Sequence, residues 1–227
     1  MRPKHNKKLR ILITAGPTRE YIDPVRYISN DSSGQMGFAL ARAAAHLGFR
    51  VDLIAGPVAL PTPEGAIRID VASTLEMRRE VMRLAPRADV IVMAAAVSDW
   101  RPARFSRKKI KRSKTGLPPP SPPYKGGEMP HAIPLIENPD ILLELGKRKK
   151  PNQILIGFAL ETDDLEKNAR GKLARKNCDW IVANPACAIG ARVSRALLIS
   201  RSGKKIALPL LPKEDLAIVI LSHILGV

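Results

Sequence analysis

Between Leu9 and Ala96 the chain alternates short aliphatic runs with amphipathic segments, and this alternation constrains the fold more than any other feature. Leu9 to Thr14 (LRILIT), Val51 to Ala55 and Ala88 to Ala96 (ADVIVMAAA) are near-continuous apolar runs with β-branched residues, the pattern of strands buried on both faces of a parallel sheet. Between the first two, GQMGFALARAAAHLG (Gly34 to Gly48) places Met36, Leu40, Ala43, Ala44 and Leu47 at helical spacing. Before the third, Ser73 and Glu76 form an S-x-x-E capping box that opens a helix through about Arg83. Parallel strands joined by right-handed crossovers bind ligands beyond their carboxyl ends. Chemistry is therefore expected in the loops 15–33, 56–72 and 97–135.

The second half continues the pattern. Asn138-Pro139 reads as an N-cap and first helical residue leading into ILLELGKRKK. Gln153 to Leu160 and Asp179 to Ala183 read as strands, and Asp163 to Asn177 as a helix with acids first and bases last, the order that suits its dipole. Ala196 to Ser200 and Lys205 to Leu208 form a hairpin over Ser202-Gly203, and a helix runs from Lys213 to Leu225. The expected fold class is α/β: a Rossmann-like, mostly parallel sheet flanked by helices, with a C-terminal hairpin, residues 1–227 forming one domain. The segment 103–135 is Lys-, Pro- and Gly-rich and is expected to be a mobile flap or, around 115–130, a plain linker.

Charge narrows the partners. The 38 Lys and Arg exceed the 21 Asp and Glu by 17, which favours anionic ligands or reflects a solubilising basic surface. No aromatic-interleaved or finger-type motif converts the excess into a nucleic-acid module, although a basic nucleic-acid-binding protein is the rival reading. Two cysteines, Cys178 and Cys187, make no disulfide framework and no zinc spacing, which suggests a reducing compartment and the cytoplasm. No run approaches the roughly 18 apolar residues of a membrane span, so no membrane partner is expected.

The densest chemical signal is TAGPTREYIDPVRYISNDSSGQMG. Here Arg19 and Arg26 carry guanidinium forks, and Asn30-Asp31-Ser32-Ser33-Gly34 presents donors just before a helix, an anion-binding arrangement. It contains neither G-x-G-x-x-G nor a Walker motif, which disfavours an NAD(P)-dependent reductase on the same sheet. Ala94 to Ala96 end the third strand in small residues that admit a ligand to the backbone or merely pack under a helix, and Asp99 follows. Lys108, Lys109, Lys111 and Arg112 form a basic run, solvated or delivering charge to a phosphate; Lys172 and Lys176 lie four apart on one helix face. No Ser/His/Asp set is present, and His46 and His223 read as helix-surface residues.

Taken in order, ITAGPTREYIDPVRYISNDSSGQMGFALA, AGPVALPTP, AAAVSDWRP, KKIKR, ENPDIL, GFALET and KLARKNCDWIVAN closely resemble phosphopantothenate-cysteine ligase over about residues 9–184. In many bacteria this enzyme is the C-terminal half of a bifunctional flavoprotein of coenzyme A biosynthesis. The resemblance implies joining 4'-phosphopantothenate to L-cysteine through an acyl-cytidylate, with CTP and Mg2+ and without a flavin. It also implies a homodimer, and leaves room for a separate flavin-dependent decarboxylase as partner. By motif, Asn30 and Lys109 correspond to the catalytic pair, with Lys108 one register away. Arg26, Asn30, Ala95 and Ala96 correspond to substrate contacts. Met93, Ala94, Ala95, Asp99, Lys109, Pro139, Asp140, Ile141, Leu142, Phe158, Lys172 and Lys176 correspond to nucleotide contacts. The metal ligands are not implied. Beyond Asn184 the chain departs from the family pattern, with Arg195 where an asparagine is usual.

Overall fold

The structure, a computed structural model, describes residues 8–111, 133–161, 163–185 and 190–226. Eight strands form one sheet: β1 (Arg10–Ala15), β4 (Arg50–Ala55), β5 (Ala66–Asp70), β6 (Val90–Met93), β9 (Ile154–Glu161), β10 (Trp180–Pro185), β11 (Val193–Ser200) and β12 (Lys205–Pro212). Their spatial order is β12-β11-β10-β9-β6-β1-β4-β5. From β5 to β10 all pairs are parallel, and β11 and β12 add an antiparallel hairpin at one edge. The chain adds β4 and β5 on one side of β1 and β6, β9 and β10 on the other, so the switch point at which an open α/β sheet leaves a crevice lies between β1 and its neighbours. The α/β expectation holds, C-terminal hairpin included.

Helices cover both faces because every central strand is apolar on both. Ile11 and Ile13 of β1 face α1 (Gln35–His46) and α5 (Lys213–Leu225), while Leu12 faces α2 (Thr74–Leu84), α3 (Ile141–Arg148) and α4 (Leu165–Arg175). All three β1 side chains are fully buried. Helix α1 lies very close to β1: a Cβ built on Gly37 would stand 2.5 Å from the Ala15 Cβ, so only glycine permits this approach. The helix starts at Gly34, which adopts φ 75°, the left-handed region that glycine enters without steric cost.

The capping box opens α2 as its sequence requires. Ser73 Oγ accepts from the Glu76 amide at 3.3 Å, and Glu76 Oε2 accepts from the Ser73 amide at 3.3 Å. At α3 the structure corrects the reading: the N-cap is Asp140, whose Oδ1 accepts from the Leu143 amide at 2.9 Å, and not Asn138. Pro139 consequently precedes the cap. Asn138 is drawn away by tertiary partners, donating to the Ser98 carbonyl at 2.9 Å and accepting from Arg101 at 2.9 Å. The expected strand 88–96 pairs as a ladder only from Val90 to Met93, because Gly16 turns β1 aside at φ 77°.

Three features escape sequence reading. Strand β5 lies in the expected loop 56–72, β2 (Arg19–Tyr21) and β3 (Tyr27–Ser29) form a ribbon within 15–33, and β7 (Trp100–Pro102) pairs with β8 (Leu135–Glu137). The last pair ties together the two ends of the expected flap, whose residues 112–132 lie outside the described residues, as do His5, His131 and Cys187. His46 and His223 are exposed on their helices. No helix among the described residues is long and apolar enough to cross a membrane.

Candidate active site

Two cavities open beyond the carboxyl ends of β1, β6 and β9, at the switch point, and they share walls. The larger, about 940 Å3, lies between the N-terminus of α3 and one face of α4. The smaller, about 500 Å3, lies between the loop 30–37 and the end of β6. Ala95, Val97, Asp99, Phe158 and Lys172 line both.

The floor of the junction is the backbone after β6. The Ala95 amide donates to Thr14 Oγ1 at 3.2 Å and the Ala96 amide to the Gly16 carbonyl at 2.9 Å. The Ala96 carbonyl accepts from the Thr18 amide at 3.3 Å and from the Asn30 side-chain amide at 2.9 Å. A buried polar set anchors this floor: Thr18 Oγ1 lies 3.0 Å from Thr74 Oγ1 and accepts from the Ser98 amide at 3.0 Å, while Glu20, 4% exposed, accepts from both the Thr74 amide and hydroxyl. Thr18, Glu20, Thr74 and the Ser98 amide thus each have a partner, the condition under which such a network stiffens its surroundings.

The larger cavity is walled by opposite helix ends. Pro139, Asp140, Ile141 and Leu142 present the start of α3, and across from them Lys167, Lys172, Arg175 and the C-cap Lys176 come from α4. Positions 167, 171, 172, 175 and 176 fall on one helix face, so α4 offers a cationic wall with Gly171 leaving open space in it. Lys176 pairs with Asp140, and Lys172 donates to the Phe158 carbonyl at 2.7 Å. A polyanion fits between this wall and the α3 amides.

The smaller cavity is lined by Asn30 to Gly37, Ala94 to Val97, Asn184 and Lys213. Burial pushes the Lys213 ammonium below its ordinary value. Among the described residues no group of three or more His, Cys, Asp or Glu could hold a metal ion. Asp99 is a carboxylate common to both cavities. That donor set fits Mg2+ carried on nucleotide phosphates, since this ion commonly takes one or two protein carboxylates and completes its shell with phosphate and water.

The sequence-derived residues therefore fall into three groups. Met93, Ala95, Asp99, Pro139, Asp140, Ile141, Leu142, Phe158, Lys172 and Lys176 line the larger cavity. Asn30, Ala94, Ala95 and Ala96 line the smaller. Arg26 and Lys109 line neither: Arg26 is paired with Asp23 and donates to the Ile110 carbonyl at 2.8 Å, and Lys109 is exposed beside Ile110. Sequence reading missed Lys167, Arg175, Asn184 and Lys213. The helical spacing could have found Arg175, three residues after Lys172; nothing local marks the others, of which Asn184 comes from β10 and Lys213 from the start of α5.

The chain matches the family model of the DNA/pantothenate metabolism flavoprotein C-terminal domain over residues 6–227. It is 44% identical over 211 residues to the coenzyme A biosynthesis bifunctional protein CoaBC of Vibrio cholerae, covering 92% of this chain and 50% of that protein. It is 42% identical over 219 residues to the CoaBC of Bacillus subtilis, covering 94% of this chain and 50% of that protein. The chain thus spans about half the length of these curated relatives. A crystal structure of the C-terminal domain of a CoaBC protein superposes with a TM-score of 0.78 at 39% identity, covering 95% of this chain and 93% of that one.

Proposed function

Because the chain belongs to the family of the DNA/pantothenate metabolism flavoprotein C-terminal domain, we propose that it is a ligase that joins 4'-phosphopantothenate to L-cysteine, consuming CTP. The observation that carries this reading is the shared wall of the two cavities. A nucleotide in the larger and a carboxylic acid in the smaller meet at Ala95, Asp99, Phe158 and Lys172, as an acyl-nucleotide intermediate requires.

The chemistry needs no protein nucleophile. The substrate carboxylate oxygen attacks the α-phosphorus of CTP, forming a mixed anhydride and releasing pyrophosphate. The neutral amine of cysteine then attacks the acyl carbon, the amide bond forms, and CMP leaves with the anhydride oxygen. Both steps are redox-neutral, so no flavin is called for. Mg2+ would be held through the phosphates and Asp99, and supplies charge neutralisation when bound.

The protein's part is to bring two anions together and hold them in line. Lys167, Lys172, Arg175 and Lys176 offset the charge of the triphosphate, and the α3 amides add their dipole ends. Asn30, already oriented by Ala96, offers an amide donor to the acyl oxygen without adding charge that would repel it. Lys109, on the strap formed by residues 103–111 after β7, lies outside both cavities in this structure and supplies its charge to the phosphates when that strap moves over them. Arg26 acts at the phosphate of 4'-phosphopantothenate.

A second copy of the chain completes the assembly in this reading. Tyr21, Val25, Tyr27, Trp100, Leu135 and Ile136 are all exposed on the two small ribbons or the turn that joins one of them. A concentration of apolar side chains on one part of a surface marks an interface. Sedimentation analysis should give a dimer, and a monomer at micromolar concentration would reject that arrangement.

The decisive assay is pyrophosphate release with CTP, 4'-phosphopantothenate and L-cysteine, repeated with ATP. Release limited to about one equivalent per site without L-cysteine, and continuous only with all three, supports the ligase, and better turnover with ATP would overturn the nucleotide assignment. No release with either nucleotide, together with tight salt-sensitive binding to DNA or RNA, would favour the nucleic-acid reading that the net charge of +17 raises.

A further inference from the structure

We propose that Asp23 is a positioning residue for Lys109, clamping the backbone that carries this lysine onto the loop that carries Asn30; the inference rests on the ligase reading of Lys109. Asp23 lines neither cavity at the switch point, yet it is fully buried. A buried carboxylate is costly unless its lone pairs are filled, so what fills them shows what it is there to hold.

Part of the filling is local. Oδ1 accepts from the amides of Val25 and Arg26, both at 2.9 Å, which closes the turn between β2 and β3. The rest reaches far along the chain. Oδ2 takes the Arg26 guanidinium and, at 3.1 Å, the amide of Ile110, 87 residues away. The same guanidinium donates to the Ile110 carbonyl at 2.8 Å. Both backbone groups of Ile110 are therefore held by one ion pair, the amide by Asp23 and the carbonyl by Arg26.

A second tie lies beside the first. The Ser106 amide donates to the Ile22 carbonyl at 2.9 Å, and Ser106 Oγ donates to the Lys108 carbonyl at 2.6 Å. Residues 106–110 are thus laid along residues 22–26. Lys109 sits between two backbone anchors, at Lys108 and Ile110, with its own side chain exposed. On the other side, β3 runs directly from Arg26 to Ser29, whose hydroxyl donates to the Thr18 carbonyl at 2.8 Å, and then to Asn30. The path from the backbone of Lys109 to Asn30 consists of hydrogen-bonded segments with no free link. A local turn requires only Oδ1; the pairing with Ile110 has no role in that turn and is explained by the clamp. The guanidinium of Arg26, with burial opposing it and the three amides assisting, holds the carboxyl well below the usual range, so the clamp is charged throughout the neutral range.

The test is a double-mutant cycle on the full chain, reading formation of the acyl-nucleotide by rapid quench. Asp23→Asn should slow that step by about tenfold, the scale of one charge-assisted hydrogen bond, without changing KM for cysteine. In a Lys109→Gln background the same change should cost less than about twofold. Multiplicative losses would show that Asp23 acts independently of Lys109 and overturn the proposal while the ligase reading stands. Normal turnover in Lys109→Gln alone would instead overturn the role of Lys109, and with it this inference. Amide hydrogen exchange reads the clamp without activity: Ile110 should be protected in the wild type and released in Asp23→Asn, and equal exchange would refute the clamp. Should Asp23→Asn not fold, Ile110→Pro removes the donor and leaves Asp23 with Arg26; it should match the tenfold loss, and wild-type rates would refute the proposal.

Discussion

The side-chain amide of Asn30 donates to the backbone carbonyl of Ala96 at 2.9 Å, joining segments 66 residues apart at the place where the two cavities meet. The bond fixes which way the amide points before any ligand arrives. Such preorganisation is what an electrostatic catalyst requires, because the donor then pays no reorganisation as charge develops.

Asn30→Asp tests this directly. An aspartate has no N–H for the Ala96 carbonyl and places a negative charge against an anionic substrate. The expected loss is on the order of 3 kcal/mol of transition-state stabilisation, a hundredfold or more in rate. Asn30 is exposed, so the circular dichroism spectrum should not change. Pyrophosphate release at the wild-type rate would remove Asn30 from the mechanism.

Lys109 and Lys108 differ in what the strap does with them. The Lys108 carbonyl is tied to Ser106, and Lys109 follows it just before the clamped Ile110. Lys109→Gln should suppress acyl-cytidylate formation in rapid-quench measurements, while Lys108→Gln should leave it within about twofold. The reverse pattern would shift the register by one residue.

Asp140 serves the fold and the cavity together. It caps α3 and pairs with Lys176. Asp140→Ala should lower unfolding free energy by about 1 kcal/mol, and Asp140→Asn, an equally good cap, should restore most of it. Urea denaturation with an unchanged m-value would measure both; equal losses in the two variants would place the stability in the ion pair instead.

Acid stability follows from depressed carboxylates. The Arg26 guanidinium lowers Asp23 from an ordinary value of 3.8, the Arg78 guanidinium lowers Glu144, Arg83 and Arg79 lower Glu80, and Lys205 and Arg170 lower Glu166. A folded-state value below the unfolded one contributes stability above the unfolded value and loses it as pH falls through the folded one. The melting temperature should therefore be flat between about pH 5 and pH 8 and fall below about pH 4. Asp23→Asn should shallow that acid limb, and an identical slope would show that Asp23 does not contribute.

Cys178 behaves oppositely. It is fully buried, and burial, then the charge of Asp179, pushes its thiol up to about 11. Its raised value contributes stability present below the ordinary thiol value of 9.0 and lost as pH rises through 11. Iodoacetamide at pH 8 should leave the Cys178 peptide unmodified in the native protein and label it in urea. Native labelling would mean that this part of the sheet opens.

The strands were readable where burial is two-sided. Ile11, Leu12 and Ile13, or Val90, Ile91 and Val92, are apolar at successive positions because helices cover both faces, and no other environment at that length favours such runs. Strand β5 shows the converse. At the sheet edge its residues are exposed or half-buried, Ile67 is 63% exposed, and Arg68 and Asp70 pair with each other, so the sequence carries no period to detect. The capping box at Ser73 was readable because both partners lie within three residues, whereas the true cap of α3 depended on Ser98 and Arg101 claiming Asn138 from 37 to 40 residues away.

The amino-acid sequence by itself therefore determined the layered α/β class and the loops that carry chemistry, since side-chain periodicity and end-capping act over a few residues, while the larger cavity's residues were named through the family resemblance of its motifs. Only the tertiary structure decided that Lys213 and Asn184 join Asn30 in one cavity, that α4 supplies Lys167 and Arg175 to the other, and that Asp23 reaches Ile110. These pairings depend on which strands lie side by side. That order arises from burying the whole sheet at once, and no local pattern encodes it.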